Sequence, residues 1–419
     1  MTRTGLVLDG GSTAAVTFVR SLGRAGWRVL AQQGTRAARS RFVTATVPIP
    51  DATANPEGFA EAVAHVCQTQ QVDVVVPCID AEAEILWQAP ETLGGAAIVG
   101  GGRLSVERFL DKGETLAAAD SVGFPTPEWR SPATLDELVA AADEIGYPCV
   151  LKSRTTYARV DSRLVQRRYL VVRDAADARS SAGLLARDGV LPIVQAFVPG
   201  RALAITAVRR GGKLLAGVAR EALTFFPITG GGSCWRRTIA PDDTGVAEAF
   251  LLLEKLGYEG LAEVEYQVDS GGVPRLMEIG VRAHGWLSLA VAAGVDIPLI
   301  AACAALGQEP PPGHVVSWKI GVEMRSPGSE LARTRQALDF RRPMPAMYSR
   351  RGVLSTLWPP WRPGMRYDHV DLGDLGPWLP TSLARRRTAQ PSEFVPATPL
   401  QRRTPEPAAE VDAWHSDAA

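Results

Sequence analysis

The stretch from Gly260 to Gly285, GLAEVEYQVDSGGVPRLMEIGVRAHG, constrains the fold more than any other part of the chain. Ala262, Val264, Tyr266 and Val268 alternate with Glu263, Glu265 and Gln267. Met277, Ile279 and Val281 alternate with Glu278, Gly280 and Arg282. A period of two with one apolar face reads as two antiparallel strands joined across a glycine turn. With Gly271-Gly272 as a two-residue hairpin loop, Glu265 lies directly across from Glu278, and Glu263 across from Gly280. Like charges placed opposite each other destabilise a ladder, so the pair invites a hard cation with oxygen ligands, Mg²⁺ first. A half-exposed hairpin with solvated glutamates reads the same pattern without an ion.

At 419 residues the chain is too long for one small core, and two or three subdomains are expected. Lys and Arg together number 45, as do Asp and Glu, a balance that argues against nucleic acid or a membrane surface as the main partner. Cys67, Cys78, Cys149, Cys234 and Cys303 are scattered and lack metal-ligand spacing, so they read as buried small hydrophobes in a reducing compartment. No apolar run reaches membrane-spanning length, and the opening residues lack a signal-peptide pattern. A cytoplasmic location is expected.

Along the chain, Gly5 to Asp9, a helix to about Ala25 and a strand from Trp27 to Ala31 form a βαβ opening. Its Gly10-Gly11-Ser12 turn stands at a helix N-terminus, where phosphates can bind, yet the full dinucleotide fingerprint is missing. A strand from Val72 to Val76 delivers Asp80, Glu82 and Glu84 to the sheet end where ligands gather; favourable acids at a helix start explain the two glutamates more simply. One helix is expected from Ser105 to Gly123, with Asp111-Lys112 in its first half, and another from Leu135 to Ile145. A strand then ends on Lys152, and the basic run at 153–168 reads as a surface loop. Ile193 to Val198 forms a strand ending in Pro199-Gly200, and a meander about Gly211-Gly212 leads to Arg220 and the segment Thr229 to Ser233. Helices are expected near Pro241 to Leu256, Leu287 to Ala293 and Pro298 to Leu306, and strands at Trp318 to Met324 and Gly352 to Leu357. From about Leu383 the Arg-, Pro- and Ala-rich chain reads as a disordered tail.

The succession Asp111-Lys112, Tyr147-Pro148-x-Val150-Leu151-Lys152, Gln195-Ala196-Phe197-Val198-Pro199-Gly200, Glu265 and Glu278-Ile279-Gly280-Val281-Arg282 resembles the ATP-grasp superfamily. More narrowly it is similar to the carbamoyl-phosphate-synthase-like carboxylate–amine ligases, over residues 5 to 307. The resemblance implies an α/β and α+β chain. A Rossmann-like domain (1–104) precedes the two ATP-grasp subdomains (105–190 and 191–309), with a C-terminal extension (310–382) and the tail (383–419) beyond. It implies that Lys112 and Lys152 reach nucleotide phosphates, and that Gln195, Ala196, Phe197 and Val198 border the adenine at a hinge. Leu276 would floor the base. Glu265 and Glu278 would hold Mg²⁺ or Mn²⁺, Arg282 would meet the γ-phosphate or acyl phosphate, and Arg220 would stand on the substrate side. Two positions depart from the family pattern: Gly280 replaces an asparagine metal ligand, and Ala202 a ribose-binding acid. Glu263, across from Gly280, is expected to supply the missing oxygen. The loop after Lys152 also lacks the glycines that often cover the phosphates.

The chemistry so implied is ATP-dependent joining of a small-molecule carboxylate, an amino acid among the candidates, to an amine through an acyl phosphate, with release of ADP and phosphate. Such transfer needs positioning and charge neutralisation more than a protein nucleophile. A nucleotide-binding protein with little or no turnover is the alternative suggested by Gly280 and Ala202. A nicotinamide oxidoreductase would use the βαβ opening but leaves the downstream lysines and glutamates unexplained.

Overall fold

The computed structural model describes residues 2–9, 12–167, 169–186, 189–228, 231–313, 317–339, 349–357 and 364–379. Gly10, Gly11, Arg168, Thr229, Gly230 and the expected tail from 383 lie outside them.

The first sheet is parallel. Its strands stand in the order Ala45–Val47, Arg28–Gln32, Thr4–Val7, Val74–Val76, Ala97–Ile98. Val74–Val76 is buried at every position, as a parallel strand covered on both faces requires. The helices Thr13–Arg24 and Pro56–Gln70 supply cover, each begun by a side-chain cap: Ser12 accepts from Ala14 N–H, and Asn55 from Gly58 N–H. Strand order reverses between Thr4–Val7 and Val74–Val76, so Asp9 and Asp80 are carried to the crevice at their carboxyl ends.

A four-stranded antiparallel sheet follows, ordered Leu170–Val172, Cys149–Lys152, Ile193–Ala196, Trp129–Arg130. The helices Leu135–Ile145 and Ala175–Leu185 pack Leu138, Ala142, Ala178 and Ala182 onto Leu151 and Val194. Ile193–Ala196, expected to open the next segment, is hydrogen-bonded into this sheet with Ile193 opposite Lys152. The run 105–123 is two helices rather than one, Arg103–Phe109 and Lys112–Ser121. Asp111 divides them: its carboxylate accepts from Gly113 and Glu114 N–H and restarts the helix with Lys112 in the first turn. The basic run after Lys152 is a hairpin, Tyr157–Val160 against Arg163–Gln166. It leans on the first sheet's layer, where Leu164 joins the apolar core and donates its N–H to Thr53 O at 2.8 Å.

The largest sheet has seven strands, ordered Pro274–Gly280, Gly260–Val268, Arg201–Arg210, Lys213–Phe226, Gly232–Thr238, Glu323–Arg325, Arg366–Tyr367. One face packs Leu203, Ile205, Val264 and Ile279 against Phe109, Ala249 and Leu253. The other face carries the acids and meets the helices Leu287–Ala292 and Ile297–Ala305 along part of its length. The last two strands come from the C-terminal region, which therefore completes this sheet. Gly352 to Leu357, expected as a strand, belongs instead to the helix Arg350–Ser355 and the turn after it. Ser349 caps that helix by accepting from Gly352 N–H, and Val353 packs with Ile228 and Ala337. Residues 364–379 return to the first helix, where Asp374 accepts from Arg20 Nε at 2.8 Å and Ser40 Oγ at 2.7 Å. All five cysteines are buried and unbridged. Among the described residues no helix is long and apolar enough to cross a membrane.

Candidate functional site

The hairpin keeps the expected register at its acids: Glu263 opposes Gly280, Val264 opposes Ile279, and Glu265 opposes Glu278. The turn is different. The strands end at Val268 and Pro274, and Asp269 closes the connection by accepting from Gly271 N–H at 2.9 Å and Val273 N–H at 3.0 Å. A bulge compensates, pairing Tyr266 with Leu276 and leaving Met277 without a partner residue. A bulge offsets side-chain alternation by one. Leu276, expected beneath the adenine, is consequently turned into the apolar core and fully buried. Met277 stands at the hinge strand instead, where Gln195 Nε2 donates to its sulfur at 3.5 Å.

Glu265 lies on the floor of a cleft. Its side chain keeps 45 % of its surface open, yet protein surrounds it, and burial pushes its carboxyl up to about 7, with Glu263 adding to the rise and Arg220 opposing it. Ala204 lies between Glu265 and Arg220 in the strand register. That small side chain lets the guanidinium cross and donate to Glu265 Oε1 at 3.0 Å. The same nitrogen stands 3.5 Å from Glu263 Oε1. Glu263, expected as a metal ligand, is buried beside Glu265, accepts from the Trp286 indole, and holds its second oxygen 3.9 Å from His284 Nδ1. A Cβ on Gly280 would lie 3.6 Å from that second oxygen, so Glu263 borders the space a side chain at 280 would use.

Among the described residues no three His, Cys, Asp or Glu side chains converge as a preformed metal cage. The opposed pair Glu265 and Glu278 still suits Mg²⁺, which binds through one or two carboxylates and completes its shell with waters and substrate phosphates.

The cations face this floor from three elements. Lys152 ends its strand, and burial lowers its ammonium to about 8, with Glu278 pulling it up and Lys112 pressing it down. Lys112 donates its N–H to Arg154 O at 2.8 Å, and its Nζ donates to Thr156 Oγ at 3.4 Å. Arg154 in turn donates to Asp111 at 2.8 Å, so the base of the 157–166 hairpin fixes the start of the Lys112 helix. Arg282 donates from Nε to Asp80 Oδ1 at 2.7 Å and from Nη1 to Ala283 O at 3.0 Å. Burial would lower its pKa, but the Asp80, Glu263 and Glu278 carboxylates outweigh that and raise it. His284 is buried, shares a 2.9 Å hydrogen bond with Thr206 Oγ, and is held neutral by burial and by Arg282, Arg220 and Arg236.

At the expected hinge, Gln195 is paired within its sheet and Ala196 N–H donates to Glu128 O at 2.8 Å. The backbone of Phe197 and Val198 makes no hydrogen bond to the described residues. Gly200 then passes so close to Val268 that a Cβ would sit 2.1 Å from its carbonyl oxygen, which excludes any larger residue. Ala202 opens on a cavity of about 300 Å³ also lined by Ala222, Thr224 and Arg333. The neighbouring acid, Glu221, is held by Arg201 and Arg237.

Several residues on this face have weak sequence signals. Arg236, buried on Gly232–Thr238, is paired with Asp368 of the C-terminal region, and Ser288 Oγ donates to the same carboxylate at 2.7 Å. Nothing in the spacing of Asp368 announces it. Asp80 had a signal, its place at the end of a buried strand, but not the partner that occupies it.

A family described as "ATP-grasp in the biosynthetic pathway with Ter operon" matches residues 191–327. No protein of curated function matches the chain by sequence. Biotin carboxylase of Campylobacter jejuni, in a beta-gamma-ATP complex, is 16% identical with a TM-score of 0.60, over 76% of this chain and 74% of that one. The biotin carboxylase domain of Hydrogenobacter thermophilus 2-oxoglutarate carboxylase, with MgADP and bicarbonate, gives 14% identity and a TM-score of 0.61, over 77% and 74%. N5-carboxyaminoimidazole synthase of Aspergillus clavatus, with ADP and aminoimidazole ribonucleotide, gives 19% identity and a TM-score of 0.55, over 77% and 80%. The ATP-grasp family model thus matches the segment that holds most of the largest sheet, and the fold of the chain is similar to that of these solved structures.

Proposed function

We propose that the protein is an ATP-dependent carbon–nitrogen ligase that activates a small-molecule carboxylate by phosphorylation and passes the acyl group to an amine. The observation that carries this reading is the opposed Glu265–Glu278 pair, with Lys112 from a helix, Lys152 from a strand of another sheet and Arg282 just beyond the Glu278 strand around it. Cations and paired acids around one cleft suit a polyphosphate and its metal.

In this reading the free backbone of Phe197 and Val198 meets the adenine edge, with Gln195 and Ala196 shaping the hinge and Met277 beneath the ring. Lys112 and Lys152 offset phosphate charge. Arg282 turns toward the transferring phosphoryl group, and Arg220 toward the acid. The carboxylate attacks the γ-phosphorus in line, forming an acyl phosphate as the bond to ADP breaks. The amine then attacks the acyl carbon, phosphate leaves, and an amide remains. Glu265 and Glu278 would hold Mg²⁺ or Mn²⁺, whose charge would neutralise the phosphate oxygens. Glu263 anchors Arg220 and Trp286 outside the metal shell. No serine or cysteine nucleophile is needed.

The test is release of ADP and phosphate across panels of carboxylic acids and amines, amino acids included. One acid–amine combination should stimulate release, and Glu278→Ala should lower it about 100-fold or more, in line with losing a phosphoryl-transfer metal ligand. Unchanged turnover in Glu278→Ala would sink the assignment. A second reading, nucleotide binding with little turnover, is favoured by Gly280; saturable MgATP binding with no stimulated release by any combination supports it.

A further inference from the structure

Asp80 belongs to the first sheet's layer, at the N-terminus of the helix Asp80–Gln88 and beyond the carboxyl end of Val74–Val76. It is buried, and it touches parts of both halves of the grasp. Its carboxylate accepts from Arg282 Nε at 2.7 Å, and it is hydrogen-bonded to Thr156, the residue that also accepts from Lys112 Nζ. Arg282 is thereby gripped on two sides, by Asp80 at Nε and by Ala283 O at Nη1. Among the described residues Nη2 has no hydrogen-bond partner. A guanidinium is a planar fork; with two of its edges fixed, the direction of the third is fixed as well.

We infer that Asp80 is a positioning residue for Arg282, holding the guanidinium so that its Nη2 edge is presented to the terminal phosphate of the bound nucleotide. The inference rests on the proposed role of Arg282 at the transferring phosphoryl group. Two carboxylates compete for the same guanidinium from the sheet floor, Glu263 and Glu278. Without Asp80 the arginine swings toward them, away from the phosphate and onto Glu278, which the metal needs. The carboxylate therefore works against its own sign: it is an anion near a polyanion site, and it strengthens the site by geometry.

The contrast between MgATP and MgADP reads this directly, because only the former has the terminal phosphate. Calorimetric titration of the full chain with each nucleotide should show Asp80→Asn weakening MgATP about tenfold, the scale of one charge-assisted hydrogen bond. MgADP affinity should move less than about twofold, the scale of an undisturbed contact. A purely structural role weakens both nucleotides alike and overturns the inference; so does a gain in MgATP affinity, which would mean Asp80 only repels phosphate. Arg282→Ala separates the premise from the inference. If it leaves the MgATP-to-MgADP ratio unchanged, the phosphate role of Arg282 fails. If it abolishes the ratio while Asp80→Asn preserves it, the positioning role alone fails. Should Asp80→Asn not fold, Asp80→Glu, which pushes the guanidinium outward by one methylene, is expected to narrow the same ratio, and an unchanged ratio contradicts the inference equally.

Discussion

Lys152 is the residue whose chemistry the site has changed most usefully. It ends the strand Cys149–Lys152 facing an acidic floor, and burial brings its ammonium down to about 8. A polyphosphate binds the charged form. Affinity for MgADP should therefore hold below pH 8 and fall as pH rises through it, by about tenfold at one unit above. Lys152→Arg, which stays charged throughout, should flatten that fall. Titration calorimetry between pH 7 and 9.5 in both proteins checks it; a parallel decline in the arginine variant would move the effect to another group. Glu263 teaches the opposite lesson at this scale. Its position across from Gly280 was legible from alternation, but its partners, Trp286 and Arg220, come from a loop and from a strand two places away. No pattern along the chain reports such partners.

At the scale of elements, the start of the Lys112 helix depends on Asp111 twice. Its carboxylate caps the helix and also receives Arg154 from the base of the neighbouring hairpin. Asp111→Ala should cost about 1–2 kcal/mol of stability, the usual cost of a lost cap. It should also weaken MgATP binding, since Lys112 occupies the first turn. Denaturant unfolding and nucleotide titration measure the two effects; a stability loss with unchanged binding would detach Lys112 from the phosphates. The two helices here were read as one because the apolar positions of 105–123 continue through the break, and only the capping geometry reveals it. The acidic hairpin shows how a local error can leave a conclusion intact. Its turn is longer than a two-residue loop, yet the bulge at Met277 restores the pairing of the acids. The same bulge is why Leu276 is in the core and Met277 at the hinge, an exchange that strict alternation cannot express.

At the scale of the whole molecule, the longer strands are readable because the sheets differ in signature, while short strands such as Ala45–Val47, Ala97–Ile98 and Leu170–Val172 give none. Uninterrupted apolar runs mark the parallel strands and alternation marks the large antiparallel sheet. What could not be read is how the ends close on one another. Residues 364–379 bind the first helix through Arg20–Asp374 while Asp368 reaches the acidic face through Arg236. The 157–166 hairpin, expected as a loop, rests on the first layer through Leu164. The cleft itself draws on the ends of separate sheets, with Asp80 beyond Val74–Val76, Lys152 ending Cys149–Lys152, and the Glu265–Glu278 pair, and the account depends on that cleft being a nucleotide site. Calorimetric titration of the full chain with ATP, with and without Mg²⁺, tests this most directly. The account predicts saturable binding that strengthens with Mg²⁺ and is lost in both Lys152→Ala and Glu278→Ala; absence of binding, or Mg²⁺-dependent binding undisturbed by either variant, would contradict it.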